Sequence, residues 1–335
     1  MVNKGIFLEY IRLIRLSTAG NEIGVILLGG FLMGMQDVQS ILLLVLLGLF
    51  GHIFGYTLNE YVDIEVDKKL TYNIKKPLVS GIIPKSHALI IVFISGICTY
   101  VITLSFFFSL TAILLLTVAL ILTMVYDIYG KKIPFSDFVV AGTLGLFLLF
   151  GASTFSQNFT GVVYIASVVF FLDVVFMNFV EGGLKDIDHD AEAGAKTMAS
   201  RMGVHVKDDT LVITMKFKIF AYILRIFYFG LIILVGFQPE INLWYSNFNI
   251  LHVLAALLAV VVIVSSYKLL HFPVFDKTKM YKLFAIINIS SVSLLLIMVY
   301  PIIGLWAILT LFLLPLLWYA ILNRLMYEKA LQPLV

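Results

Sequence analysis

Ten stretches of this chain are apolar over about the length needed to cross a lipid bilayer, and short connections join them. A membrane-spanning helix takes roughly 20 mainly apolar residues. In lipid, every backbone N–H and C=O must also be satisfied within the segment, which leaves helices as the natural solution. The expected spans are 17–35, 40–62, 87–107, 109–126, 137–155, 160–181, 217–237, 249–270, 281–299 and 303–323. Pro301 is expected to divide the last apolar stretch in two, because proline disfavours a continuous helix. The N-terminal "MVNKGIFLEYIRLIRLSTAGNEIG" reads as a short interfacial helix leading into the first span, not as a cleavable signal.

Composition agrees. Of 335 residues, 61% are hydrophobic and 13% charged, against about half and about a quarter in a soluble globular domain. No linker or low-complexity tract interrupts the pattern, so residues 1–335 are expected to form a single all-α polytopic membrane domain in the lipid bilayer. One cysteine, Cys98, rules out a disulfide framework within one chain. The net charge of +3 is small, and no nucleic-acid partner is expected.

The placement of the cations is more informative than their sum. Of the 23 Lys and Arg residues, 22 lie at the two ends of the chain or in alternate connections. The intervening connections, near 36–39, 108, 156–159, 238–248 and 300–302, hold none. The positive-inside rule then puts both termini and the basic connections in the cytoplasm of an integral cell-membrane protein. The exception is Arg225, about eight residues into the seventh span. It either snorkels to the interface or faces a polar cavity inside the membrane.

Two of the cytoplasmic span ends carry acid clusters. In "NEYVDIEVDKKL", from Asn59, a helix places His52, Tyr56, Asn59, Asp63 and Asp67 at steps of 4, 3, 4 and 4, along one face. Glu60 and Glu65 are expected to point elsewhere, into solvent. In "KDIDHDAEAGAKT", from Lys185, Asp186 and Asp190 are again four apart. Glu181 lies on a neighbouring flank, and Asp173 is an intramembrane acid that needs a partner. Oxygen donors of this kind suit a hard cation, and Mg²⁺ is usually held by one or two carboxylates together with substrate phosphates and water. The six histidines are scattered, which argues against zinc. Two such rows facing each other at one membrane surface could hold Mg²⁺ with a diphosphate between them.

These residues resemble the UbiA family of intramembrane prenyltransferases. The family's N-x-x-x-D-x-x-x-D motif matches Asn59, Asp63 and Asp67, and its basic-Pro-Leu-x-Ser-Gly segment matches "KKPLVSG" from Lys75. The second motif matches Asp186, Asp190, Gly194 and Thr197, and a Tyr followed five residues later by Lys matches Tyr126 and Lys131. The likeness runs over roughly residues 8–300 and leaves the span 303–323 additional to the family core. It implies a ring of nine or ten helices around a central cavity, capped by cytoplasmic loops. It also implies transfer of a polyprenyl group from a polyprenyl diphosphate donor to a hydrophobic acceptor. The wording of the motifs lies nearest to the ether-lipid and quinone-forming branches.

On that expectation Asn59, Asp63, Asp67, Asp186 and Asp190 hold Mg²⁺, and the four aspartates are the catalytic set. Arg15, Lys76 and Lys131 neutralise phosphate oxygens. Tyr126 contacts substrate, as does Arg225 if it faces a cavity, and Asn21 and Glu22 meet the acceptor or its proton. His52 is expected to be a hydrogen-bonded core residue. Two other functions use the same features. A related cyclase would ionise the diphosphate without an acceptor. A cation-coupled transporter would rely on Asp173, Arg225 and Glu22, but transporter sites lie near mid-membrane with repeat symmetry, and neither is evident here.

Overall fold

The computed structural model describes residues 4–68, 76–130, 135–188, 197–208 and 210–327. Its helices are α1 (Lys4–Leu13), α2 (Gly20–Leu32), α3 (Val38–Asp67), α4 (Lys85–Phe106), α5 (Leu110–Tyr129) and α6 (Ser136–Ser153). They continue as α7 (Gly161–Lys185), α8 (Met215–Gly236), α9 (Ile250–Leu270) and α10 (Lys277–Tyr327). Among the described residues, eight are long and apolar enough to cross a membrane, and α2 lies in a shorter apolar segment, Leu16–Leu32. The protein is thus an all-α polytopic membrane protein. All ten expected spans have a helical counterpart, with α10 covering the last two.

The division within α10 differs from expectation. Pro301 sits inside the helix, and the break falls at Gly304, with φ 72° and ψ 175°. Proline's fixed φ near −65° fits a helix, whereas a positive φ is open chiefly to glycine. Gly304 therefore absorbs the bend. A second surprise is a short antiparallel hairpin, β1 (His205–Lys207) with β2 (Thr210–Val212), between α7 and α8.

Several helices begin where a polar side chain takes up a free backbone N–H. Asp37 accepts from Ser40, Ser109 from Ala112 and Thr214 from Phe217, while Asn249 and His252 form a reciprocal capping pair. These caps satisfy donors that a helix start leaves open. The Ser40 backbone N–H also holds the Asp37 carboxyl below its usual range.

The chain divides into two compact units. The first comprises residues 1–130, 146–160 and 309–335. Its close packing depends on glycine. A side chain at Gly29 would meet the backbone of Leu148 and Ala152, one at Gly151 the backbone of Ile26, and one at Gly48 the backbone of Ile23. Small residues let membrane helices approach closely and gain van der Waals contact. A separate cluster of Leu13, Ile64, Leu78, Ile83 and Ala88 pins the segment before α4 against the end of α3. That segment turns through Gly81 (φ 76°), with Ser80 N–H bonded to the Lys76 carbonyl and Ile83 N–H to that of Pro77.

The second unit comprises residues 131–145 and 161–308. Its core includes Val175, Phe176, Phe179, Leu184, Phe217, Leu269 and Ile287. Within α7, residues Phe176–Gly182 form wider π turns. Such turns insert extra residues and rotate the face that follows, so straight α periodicity does not carry across from Asp173 to Asp186.

Candidate active site

The first acid row stands on the last turns of α3. Asp63 and Asp67 are buried there, and Asn59 is half-buried. Glu60 departs from expectation. It is only 6% exposed, and accepts from Arg15 Nε at 3.0 Å and from Lys76 Nζ at 3.2 Å. Lys76 also donates to Asp67 at 2.8 Å. The reason is helical geometry. At 100° per residue, seven residues bring Glu60 to within about 20° of Asp67, whereas Asn59 and Asp67 have drifted about 80° apart. The row is therefore two adjoining stripes, Asn59 with Asp63 and Glu60 with Asp67. Glu65 behaves as expected, with a side chain 70% exposed and ion pairs to Lys68 and Lys85.

Arg15 reaches this cluster from an unusual backbone. It adopts left-handed angles, φ 43° and ψ 43°, between α1 and the turn leading into α2. A non-glycine residue there is uncommon and strained. The His52 ring holds it in place, with Nε2 bonded to the Arg15 carbonyl at 3.0 Å. The other ring nitrogen meets Glu22 Oε2 at 3.0 Å. His52 is thus the buried, hydrogen-bonded residue expected from sequence, and it ties Glu22 on α2 to Arg15. Burial disfavours the Arg15 charge, yet the Glu60 carboxylate beside it raises the guanidinium's pKa on balance. Asn21, the neighbour of Glu22, is exposed on α2.

Asp127, on α5, is a further acid beside Asn59 that no sequence motif marks. It is buried, and its Oδ1 accepts from the side-chain amide of Asn59 at 3.3 Å. Nothing in the sequence beyond its position next to Tyr126 marks it. Tyr126 itself is half-buried. Lys131 and Lys75 lie outside the described residues, as do Asp190 and Gly194 of the second motif.

In the second unit, Asp186 sits just after the helical part of α7 and pairs with Lys185 at 3.3 Å. Asp188 pairs with Lys277 at 2.8 Å. Thr197 closes the motif by capping a helical turn, Met198–Arg201, its side chain accepting from Ser200 N–H. Deeper in the same unit, Asp173 has the partner its location demands. Arg225 donates to it at 3.0 Å and to Ser291 at 3.3 Å, and its guanidinium lies 3.6 Å from the centre of the Phe176 ring. Arg225 is 5% exposed, so it does not snorkel to the interface. Glu181 is also buried and accepts from Asn288 at 2.9 Å.

The donors suit a hard cation. Among the described residues, no three His, Cys, Asp or Glu side chains converge closely enough to enclose a metal ion. Asn59 and Asp63 instead offer a few oxygens on the stripe adjoining Glu60 and Asp67, the carboxylates that Arg15 and Lys76 bind. That arrangement fits Mg²⁺, which leaves coordination positions to water and phosphate oxygens, better than a caged zinc or calcium ion.

Residues 23–245 match the model of the UbiA prenyltransferase family. Two curated relatives, the digeranylgeranylglyceryl phosphate synthases of Thermococcus kodakarensis and Pyrococcus horikoshii, are each 29% identical over 174 residues. The match takes in 51% of this chain and 59% of each relative's length. Among solved structures, one concerned with digeranylgeranylglyceryl phosphate synthase in membranes superposes with a TM-score of 0.66 at 21% identity, covering 90% of this chain and 100% of that one. A UbiA homologue from Aeropyrum pernix K1 gives 0.64 at 17% identity, covering 86% and 98%. One from Archaeoglobus fulgidus, solved with DMAPP and Mg²⁺, gives 0.61 at 16%, covering 86% and 99%. The motif spacing, the helical membrane fold and the family match over most of the chain agree: this protein belongs to the UbiA prenyltransferase family.

Proposed function

We propose that this chain transfers a polyprenyl group from a polyprenyl diphosphate to a hydrophobic acceptor within the membrane, in a Mg²⁺-dependent reaction. The observation that carries the reading is the end of α3, where Asn59 and Asp63 offer oxygen donors while Lys76 and Arg15 gather against Asp67 and Glu60. One end of α3 thus offers both a place for a divalent cation and positive charge for phosphate oxygens.

Asn59, Asp63, Asp67, Asp186 and Asp190 are the residues that would hold Mg²⁺. When bound, the ion supplies Lewis-acid stabilisation of the charge growing on the leaving diphosphate. Lys76, Arg15 and Lys131 neutralise the remaining phosphate oxygens. Tyr126 offers a ring face to the allylic carbon as positive charge develops there, and the apolar surroundings exclude water that would otherwise capture the cation. Glu22, bonded to His52, is the carboxylate that would receive the acceptor's proton, with Asn21 as a neighbouring polar contact.

The curated relatives' name supports an isoprenoid-glycerol phosphate acceptor, with geranylgeranyl diphosphate as donor. A quinone-type aromatic acceptor is the second choice. The distribution of Lys and Arg supports both termini and the acidic ends of α3 and α7 lying on the cytoplasmic side.

The test is to give purified protein geranylgeranyl diphosphate, Mg²⁺ and a panel of acceptors, and to identify products by mass. The expected product is an acceptor enlarged by one geranylgeranyl group, with diphosphate released. Unchanged donor with every acceptor, or a cyclic product formed without one, would overturn the proposal.

A further inference from the structure

We infer that Asp127 is a positioning residue that fixes which end of the Asn59 side chain is offered to a cation. The inference rests on the reading of Asn59 as a cation ligand.

A side-chain amide has a donor end and an acceptor end of nearly equal size, and only the oxygen can bind a metal ion. A carboxylate oxygen accepts. Asp127 Oδ1 lies 3.3 Å from the Asn59 amide nitrogen. Turning the amide over would set two oxygens against each other, so the NH₂ group belongs to Asp127 and the carbonyl oxygen is left for the cation. A partner of this kind, one step removed from the metal, commonly sets ligand orientation.

The seam between α3 and α5 makes the pairing a built feature. One turn before each partner, Gly55 faces Thr123, and a Cβ at Gly55 would lie only 3.0 Å from the Thr123 methyl group. The missing side chain lets the two helices approach, and the next turn brings Asn59 and Asp127 together. Asp127 is 9% exposed, and its second oxygen, Oδ2, is buried without a hydrogen-bond partner among the described residues. A carboxylate is an expensive group to bury in a membrane-spanning helix. Apolar packing alone would be better served by leucine, so a role through Asn59 accounts for its presence.

The experiment is direct binding of Mn²⁺ alone, as a stand-in for Mg²⁺, to the purified full-length protein, read from the electron paramagnetic resonance signal of the free ion. Asp127→Ala should weaken binding about tenfold or more. Asp127→Asn keeps an acceptor oxygen and should bind nearly as the parent does. Asn59→Ala/Asp127→Ala should bind no more weakly than Asn59→Ala, since Asp127 acts only through Asn59. This double variant leaves neither group unpartnered, so it reads the coupling even if Asp127→Ala fails to fold. Parent-like binding by Asp127→Ala, while Asp63→Ala has lost it, would overturn the inference. So would equal losses in Asp127→Ala and Asp127→Asn, or a double variant weaker than Asn59→Ala alone. Parent-like binding by Asp63→Ala would instead overturn the underlying cation site, and the positioning role with it.

Discussion

Asp173 and Arg225 stand 52 residues apart in the chain and 3.0 Å apart in space, each within a membrane-spanning helix. Neither charge is tolerable there alone, and their pairing joins α7 to α8. Removing one partner strands the other. Arg225→Met or Asp173→Leu should therefore each cost about 3–5 kcal/mol, read as a lowered thermal midpoint of the purified protein. The double variant should recover much of that loss, because it leaves no unpaired charge.

Glu60 and Glu65 are five residues apart with opposite fates. Glu60 is buried between Arg15 and Lys76, while Glu65 is exposed to solvent. Glu60→Ala should destabilise the protein by about 1.5–3 kcal/mol, as expected for lost hydrogen bonds to charged groups. Glu65→Ala should change stability by less than about 1 kcal/mol. Thermal denaturation of the two variants side by side checks the contrast.

Glycine at the helix contacts gives a third test. Gly29→Ala and Gly151→Ala each drive a methyl group into a facing backbone and should cost about 1–3 kcal/mol. Gly230 on α8 has open space around its Cβ position. Gly230→Ala should be neutral or should stabilise the helix by up to about 1 kcal/mol. Thermal midpoints, measured on variants that purify as a single species, report the difference.

The membrane spans were legible because length and apolarity are local properties. Eight of the ten map one-to-one onto helices, and α1 is the short helix expected before the first span. Local reading failed where three-dimensional partners decide the outcome. Steps of four suggest a single row and leave Glu60 to solvent, while a step of seven returns more nearly to the same side of a helix. The bend in α10 falls at Gly304, whose positive φ glycine takes without a Cβ clash. Asp173 announced a need for a partner, but no spacing rule could name Arg225. The π turns of α7 shift register within an otherwise ordinary apolar run. Of the candidate site, the Asn59–Asp63–Asp67 spacing was readable from sequence, whereas Asp127 was not. Its link to Asn59 spans 68 positions and depends on how closely α5 approaches at Gly55.

Metal removal bears on the site as a whole. A chelator should abolish prenyl transfer, and added Mg²⁺ should restore it, while the far-ultraviolet circular dichroism stays constant throughout. The spectrum should hold because helix packing in both units rests on apolar and protein–protein polar contacts. Product formation and spectrum can be followed on the same sample.

In the proposed function, the acidic motifs carry the chemistry of diphosphate release. The most direct measurement is single-turnover consumption of geranylgeranyl diphosphate, with acceptor and Mg²⁺, by Asp63→Ala and by Asp186→Ala. Each variant should keep the thermal midpoint and chromatographic behaviour of the parent, yet lose transfer by about a hundredfold or more, the scale of removing a group that stabilises developing charge. Near-parental turnover in both, from protein that is folded and inserted, would contradict the account.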